Sequence, residues 1–338
     1  MKILIITKLY FHKNKAGGEA YLHHFLKLLQ KGVDVSIEVL IPDSEEMKKL
    51  EFDGININET TELFNDDLLS YCQNADLVIT HLDFAFETVN YCLEINKPVI
   101  MIFHNSIEQY NPFIENENVI KIFNSNFVKK DYLNRGLVPV NSHLIYPYVD
   151  FQKYSKFKKH TKKRQYITLI NPSENKGADV VLRLAQNNKN RKFLIVEGGY
   201  YPHQQNYYIN KFSSLPNCHV IENTSTIIKD VYSKSRIVMM PSIYESYGMV
   251  AAEASCMGIP IIVNDNSEGL KENLGKLCLG GYDKEIESYQ HIIDSLDISQ
   301  NYHIWSNYYY DVAEERFNEI QKQMNHFILS HFVPNTNN

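Results

Sequence analysis

Apolar residues along this chain fall into two alternating patterns. Short unbroken runs such as Ile3-Leu4-Ile5-Ile6, Val99-Ile100-Met101-Ile102-Phe103 and Ile261-Ile262-Val263 suit strands buried on both faces of a parallel sheet. Between such runs the apolar residues recur at helical spacing, as in Ala20, Leu22, Phe25, Leu26 and Leu29. The alternation predicts an α/β chain. Strand one covers Lys2 to Thr7, and the helix after Gly17-Gly18 ends at Gly32 as a C′ glycine would end it. Further strands are predicted at Leu77 to Thr80, Pro98 to Phe103 and Val119 to Phe123, with helices at roughly Thr61 to Cys72 and Phe84 to Glu94. Asn124 or Ser125 caps the helix that follows Phe123. Ile145-Tyr146-Pro147-Tyr148-Val149-Asp150-Phe151, followed by a basic stretch from Lys153 to Lys163, reads as an interdomain linker. A second sheet then opens at Tyr166 to Ile170.

The rest of the chain is organised around Pro241-Ser242-Ile243-Tyr244-Glu245-Ser246-Tyr247-Gly248-Met249-Val250-Ala251-Ala252-Glu253, closed by Gly258-Ile259-Pro260. This stretch reads as the end of a buried strand, a polar loop, a helix beginning at Gly248 and the next buried strand. In doubly wound sheets ligands bind outside the carboxyl ends of the strands, where a helix start offers free N–H groups and partial positive charge. A carboxylate on each side of such an anion cradle, Glu245 and Glu253, suits hydroxyls. A similar junction occurs at Asn171-Pro172-Ser173-Glu174-Asn175-Lys176-Gly177, where Lys176 can neutralise a diphosphate as a point charge. His104 directly follows a buried strand, in the position where active-site residues collect.

The paired glutamates with Pro-Ser before them and Gly-Ile-Pro after them resemble the signature of the retaining glycosyltransferases of family GT4. That resemblance implies the GT-B fold: two Rossmann-like, doubly wound parallel-sheet domains facing each other across a cleft. It implies an acceptor-binding domain at 1–150, a nucleotide-sugar domain at 151–310 and a C-terminal helix at 311–332 returning to the first domain. By the family pattern Glu245 contacts hydroxyls of the donor sugar, and amides of Tyr247, Gly248 and Met249 hold the diphosphate with Lys176. Glu253 binds the ribose, and His104 lies near the donor sugar. Gly17 and Gly18, the segment at Thr224 and the helix start at Gly269 carry further donor contacts, with Asn171 beside the diphosphate. Many members place an Arg at or near the position of Asn171, so one charge is missing here.

The implied activity is transfer with retention from a UDP- or GDP-sugar to a hydroxyl acceptor, a glycan or glycoconjugate. A nucleotide-sugar epimerase and a non-catalytic sugar-nucleotide-binding subunit are the alternatives. No Asp-x-Asp pair is present to hold a metal on a diphosphate, so a metal-free site is expected, with the nucleotide sugar as substrate and no other cofactor.

Composition narrows the partners. The 338 residues carry a net charge of −6, which offers no general attraction to nucleic acid. Through Asp150 acidic residues outnumber basic ones 21 to 13, leaving the remainder slightly positive, as an anionic ligand in the second half would favour. No apolar run is long enough to span a bilayer. Five scattered cysteines without C-x-x-C spacing suggest reduced thiols and a cytoplasmic protein; a monomer or homodimer is expected. His23 and His24, adjacent on a helix, read as surface histidines, and His12 and His81 are given no role.

Overall fold

The computed structural model describes residues 1–14, 16–158, 164–199, 202–275, 277–282 and 285–333. It divides into two compact units, one formed by Met1–Tyr148 with the segment from Ile320 onward, the other by Val149–Glu319.

The first unit holds β1 (Lys2–Ile6), β2 (Ser36–Ile41), β3 (Lys48–Phe52), β4 (Ile55–Glu59), β5 (Leu77–His81), β6 (Val99–Phe103), β7 (Val119–Phe123) and β8 (Ser142–Leu144). Their order in the sheet is β3-β4-β2-β1-β5-β6-β7-β8. The central strands are sealed on both faces, Ile3 to Ile6 and Val99 to Phe103 all being buried. Pairing is parallel throughout except between β3 and β4. That antiparallel pair is a hairpin turned by Asp53 and Gly54, both at positive φ (52° and 73°), as a two-residue turn matching strand twist requires.

The hairpin is not predicted by the apolar pattern, and other boundaries differ from the sequence reading. The helix expected over Thr61 to Cys72 is one turn at Asp66–Leu69, capped by Asn65, running into a tighter turn at Ser70–Asn74. The first helix spans Gly17–Gly32, and Gly32 is its last residue, with extended Val33 beyond it, so the glycine is not a left-handed C′ cap. Its role is close packing, since a Cβ there would fall on the side chain of Ile328. Ser125 caps the helix after β7, its hydroxyl accepting from the Val128 N–H.

The second unit holds β9 (Tyr166–Ile170), β10 (Lys192–Val196), β11 (Cys218–Ile221), β12 (Ser235–Met240), β13 (Ile261–Asn264) and β14 (Leu279–Gly281). All pair in parallel, in the order β11-β10-β9-β12-β13-β14. Helices Ala178–Asn187, Met249–Cys256 and Ile286–Asp297 help cover this sheet, burying Val181, Leu184, Ala251, Ala254, Ile293 and Leu296 in its core. The linker becomes a short helix, Phe151–Ser155, capped by Asp150; residues 159–163 of the basic stretch lie outside the described residues.

A single helix, Ser299–His331, ends the described chain. Its early part belongs to the second unit, where the Tyr309 hydroxyl donates to the Ile261 carbonyl. Its last turns belong to the first, where Phe327 is buried beside Phe25. Among the described residues no helix is long and apolar enough to cross a membrane.

Candidate functional site

Each sheet has one place where the strand order reverses. In the second unit the chain lays β9 first, adds β10 and β11 on one side, then crosses to add β12, β13 and β14 on the other. The loops leaving β9 and β12 therefore diverge and leave a crevice at the carboxyl edge. Those loops are Asn171 to Gly177 and Pro241 to Gly248.

The residues singled out on these two loops meet. Lys176 Nζ pairs with Glu245 Oε1 at 2.5 Å, with Glu245 the more buried partner. Beside Lys176, Gly177 adopts φ +69° and lies so close to the neighbouring loop that a Cβ would stand 2.5 Å from the Pro241 carbonyl oxygen. Asn171, also left-handed at φ +61°, turns the chain at the end of β9 and donates its N–H to the Val196 carbonyl. No Arg stands at that point.

Gly248 caps helix Met249–Cys256 at φ +83°, a conformation open to glycine at little cost, and a Cβ there would also overlap the side chain of Leu270. Tyr247 is buried beside it, and Met249 opens the helix at partial exposure. Two contacts hold this loop, and the sequence reading names only the second of the residues that make them. The buried Asn273 donates through Nδ2 to the carbonyls of Tyr247, 2.9 Å, and Gly248, 3.0 Å. Gly269 abuts the loop so closely that a Cβ would fall on the Glu245 carbonyl oxygen, so its glycine character has a packing cause.

Glu253, on the helix, receives a hydrogen bond from the Tyr232 hydroxyl at 2.6 Å. Burial raises its carboxyl above the ordinary value, opposed by hydrogen bonds from Tyr232 and Tyr154 and by the charge of Lys153. Thr224 is committed locally: its hydroxyl donates to Asp230 at 2.7 Å and accepts from the Thr226 N–H.

In the first unit the reversal falls between β1 and β5, since β2 and β4 lie on one side and β6, β7 and β8 on the other. Thr7 follows β1, His81 ends β5 and His104 follows β6. His81 Nδ1 is 2.9 Å from His104 Nε2, and His81 Nε2 is 2.9 Å from the Thr7 hydroxyl. All three are buried. Burial lowers His104 to about 4 and, with His104 as neighbour, holds His81 well below the usual imidazole range. Gly18 stands beside them, its Cβ position 3.9 Å from the His104 ring, while Gly17 is exposed at the helix start.

His81 therefore joins His104 to Thr7, although the sequence reading gives it no role. The signal is present in the sequence, for it ends a buried strand just as His104 follows one. Glu19, buried in the first turn of the helix from Gly17 with its carboxyl raised chiefly by burial, is a second residue that the sequence reading does not single out. His23 is buried rather than superficial, its Nδ1 2.9 Å from the Tyr10 hydroxyl and its Nε2 3.2 Å from Asp53. Among the described residues no group of three or more His, Cys, Asp or Glu is arranged to hold a metal ion.

Residues 150–304 match the family described as Glycosyl transferases group 1, which supports a glycosyltransferase. No curated protein sequence matches the chain. Similar solved structures include a glycosyltransferase from Rickettsia africae, 16% identical with TM-score 0.73, covering 97% of each chain. Another is Anabaena HepE in complex with UDP and glucose, 15% identical with TM-score 0.75, covering 98% of each chain. A third is sucrose-phosphate synthase from Thermosynechococcus elongatus, 13% identical with TM-score 0.75, covering 98% of this chain and 99% of that one. The fold is GT-B, with two Rossmann-like parallel-sheet units.

Proposed function

We propose that this chain is a retaining glycosyltransferase of the GT4 kind, moving a sugar from a nucleotide-diphosphate sugar to a hydroxyl acceptor, a glycan or glycoconjugate, without a metal. The observation that carries the reading is the Lys176–Glu245 pair at the switch point of the second sheet, beside the helix that starts after Gly248. A nucleotide sugar already contains its leaving group, so the protein's main task is to stabilise charge developing on the diphosphate. Lys176 supplies a cation and the first turn of Met249–Cys256 supplies free N–H groups. Glu245 holds Lys176 in place and offers its remaining oxygen to a sugar hydroxyl. Glu253, kept in position by Tyr232, accepts from the ribose.

In this mechanism the anomeric bond breaks toward an oxocarbenium-like state, and the departing phosphate takes the acceptor proton on the same face. Neither glutamate acts as a nucleophile. The nucleotide sugar is the substrate, and no cofactor takes part. UDP is the favoured nucleotide, because the similar HepE structure contains UDP and glucose. The protein is read as cytoplasmic, a monomer or homodimer.

The test is nucleotide release from a panel of UDP-, GDP- and ADP-sugars with candidate acceptors, in the presence of a chelator, comparing the wild type with Lys176→Ala. Release from one donor that falls by about 10²-fold or more in the variant, with folding stability little changed, is the expected result, since loss of one electrostatic stabiliser of a transition state has about that effect. Equal turnover in the two proteins would remove Lys176 from the mechanism. No release from any donor would move the weight to a binding subunit or an epimerase.

A further inference from the structure

The row Thr7, His81 and His104 crosses three neighbouring strands at the carboxyl edge of the first sheet, and its hydrogens can be assigned from its ends. The Thr7 hydroxyl is 2.8 Å from the Leu9 carbonyl oxygen. A carbonyl only accepts, so the single hydroxyl hydrogen points there. Toward His81, 2.9 Å away, Thr7 Oγ1 can then only accept. His81 Nε2 must carry a hydrogen, and in a neutral imidazole Nδ1 is then an acceptor. The partner of that acceptor, His104 Nε2 at 2.9 Å, therefore donates. His104 is left with an unprotonated Nδ1, which takes no hydrogen bond among the described residues.

The surroundings reinforce this order. Both rings are buried, which opposes the cationic form that would let both nitrogens donate. Leu82, directly after His81, is held at φ +55° with its carbonyl accepting from the Tyr110 hydroxyl at 2.8 Å. A leucine in the left-handed region costs of order 1 kcal/mol, and such strain gathers where a side chain must be aimed. The Tyr21 ring stands edge-on to His104, with centroids 5.2 Å apart.

We propose that Thr7 and His81 are positioning residues that lock His104 as its Nε2–H tautomer, so that the Nδ1 lone pair accepts a hydrogen bond from a substrate hydroxyl. Such a nitrogen takes an O–H and repels a phosphate oxygen. That the hydroxyl belongs to a sugar rests on the glycosyl-transfer reading; the tautomer does not.

The experiment uses the full chain labelled with ¹⁵N-histidine and long-range ¹H–¹⁵N correlation, with the His104 signals assigned by their loss in His104→Gln. The expected spectrum shows a pyridine-like Nδ1 and a protonated Nε2 on His104. Thr7→Val removes the anchor and turns both rings toward the opposite tautomer, while Thr7→Ser keeps the wild-type pattern. A protonated Nδ1 on His104 in the wild type, or an unchanged His104 pattern in folded Thr7→Val, overturns the proposal. With the donor identified by nucleotide release, Thr7→Val lowers kcat about tenfold, the worth of one neutral hydrogen bond, and Thr7→Ser restores it. A tautomer reversal with kcat intact overturns the hydroxyl contact. A chain inactive with every donor defeats the glycosyl-transfer reading and leaves the tautomer test standing.

Discussion

Tyr232→Phe removes one atom from a fully buried ring and leaves its packing volume almost unchanged. The atom is the hydroxyl that donates to Glu253 Oε2 at 2.6 Å. A hydrogen bond to a charged group contributes about 1.5–3 kcal/mol. The Glu253 carboxyl is already raised by burial above its ordinary value of 4.5, and the variant should raise it further. For a group raised on folding, the linked stability is fully present below the unfolded value and is lost as pH rises through the folded value. Tyr232→Phe should therefore cost less at pH 4, below the unfolded value, than at pH 8, where the ionised carboxylate has lost its donor and the cost rises toward about 1.5–3 kcal/mol. Urea unfolding at the two pH values measures the difference. Calorimetric titration of UDP provides the functional readout, with affinity in the variant falling at pH values where wild-type Glu253 is still ionised. An equal cost at both pH values would show that the tyrosine only packs, and would refute the account of how Glu253 is held.

Two further variants test the frame of the loop at Glu245. Gly269→Ala places a Cβ on the Glu245 carbonyl oxygen, so helix and loop must separate; a loss of about 1–3 kcal/mol by chemical denaturation is expected, with weaker UDP binding, and a variant as stable as the wild type would show that the approach is not tight. Asn273→Leu strips the carbonyls of Tyr247 and Gly248 of their shared donor, for an expected loss of about 1–3 kcal/mol, and unaltered stability and turnover would remove Asn273 as a clamp on the left-handed turn at Gly248.

Most strands are legible in the sequence because a parallel strand covered on both faces leaves a run such as Val99 to Phe103 that nothing else explains. The β3–β4 hairpin escapes for the opposite reason. Lys48, Lys49 and Glu51 expose one edge strand to solvent, and a single Asp-Gly turn carries a signal that the apolar pattern does not. The stretch from Thr61 shows the limit of periodicity, since one helical turn and one tighter turn give the same spacing as a continuous helix.

The site is legible residue by residue but not as a network. Lys176 and Glu245 can each be nominated from the loop it occupies, yet their ion pair spans 69 positions and no local pattern encodes it. Tyr154 and Tyr232 carry no motif, and only the packing of their elements around helix Met249–Cys256 brings them to Glu253. The topology gives a rule that applies more widely. In a doubly wound chain the first strand of each sheet and the strand that begins the second wing must lie side by side. Their terminal residues then become neighbours by topology alone. In the second unit this rule joins the loops of Lys176 and Glu245. In the first it joins Thr7 to His81, a pair that is invisible as long as each histidine is judged by itself.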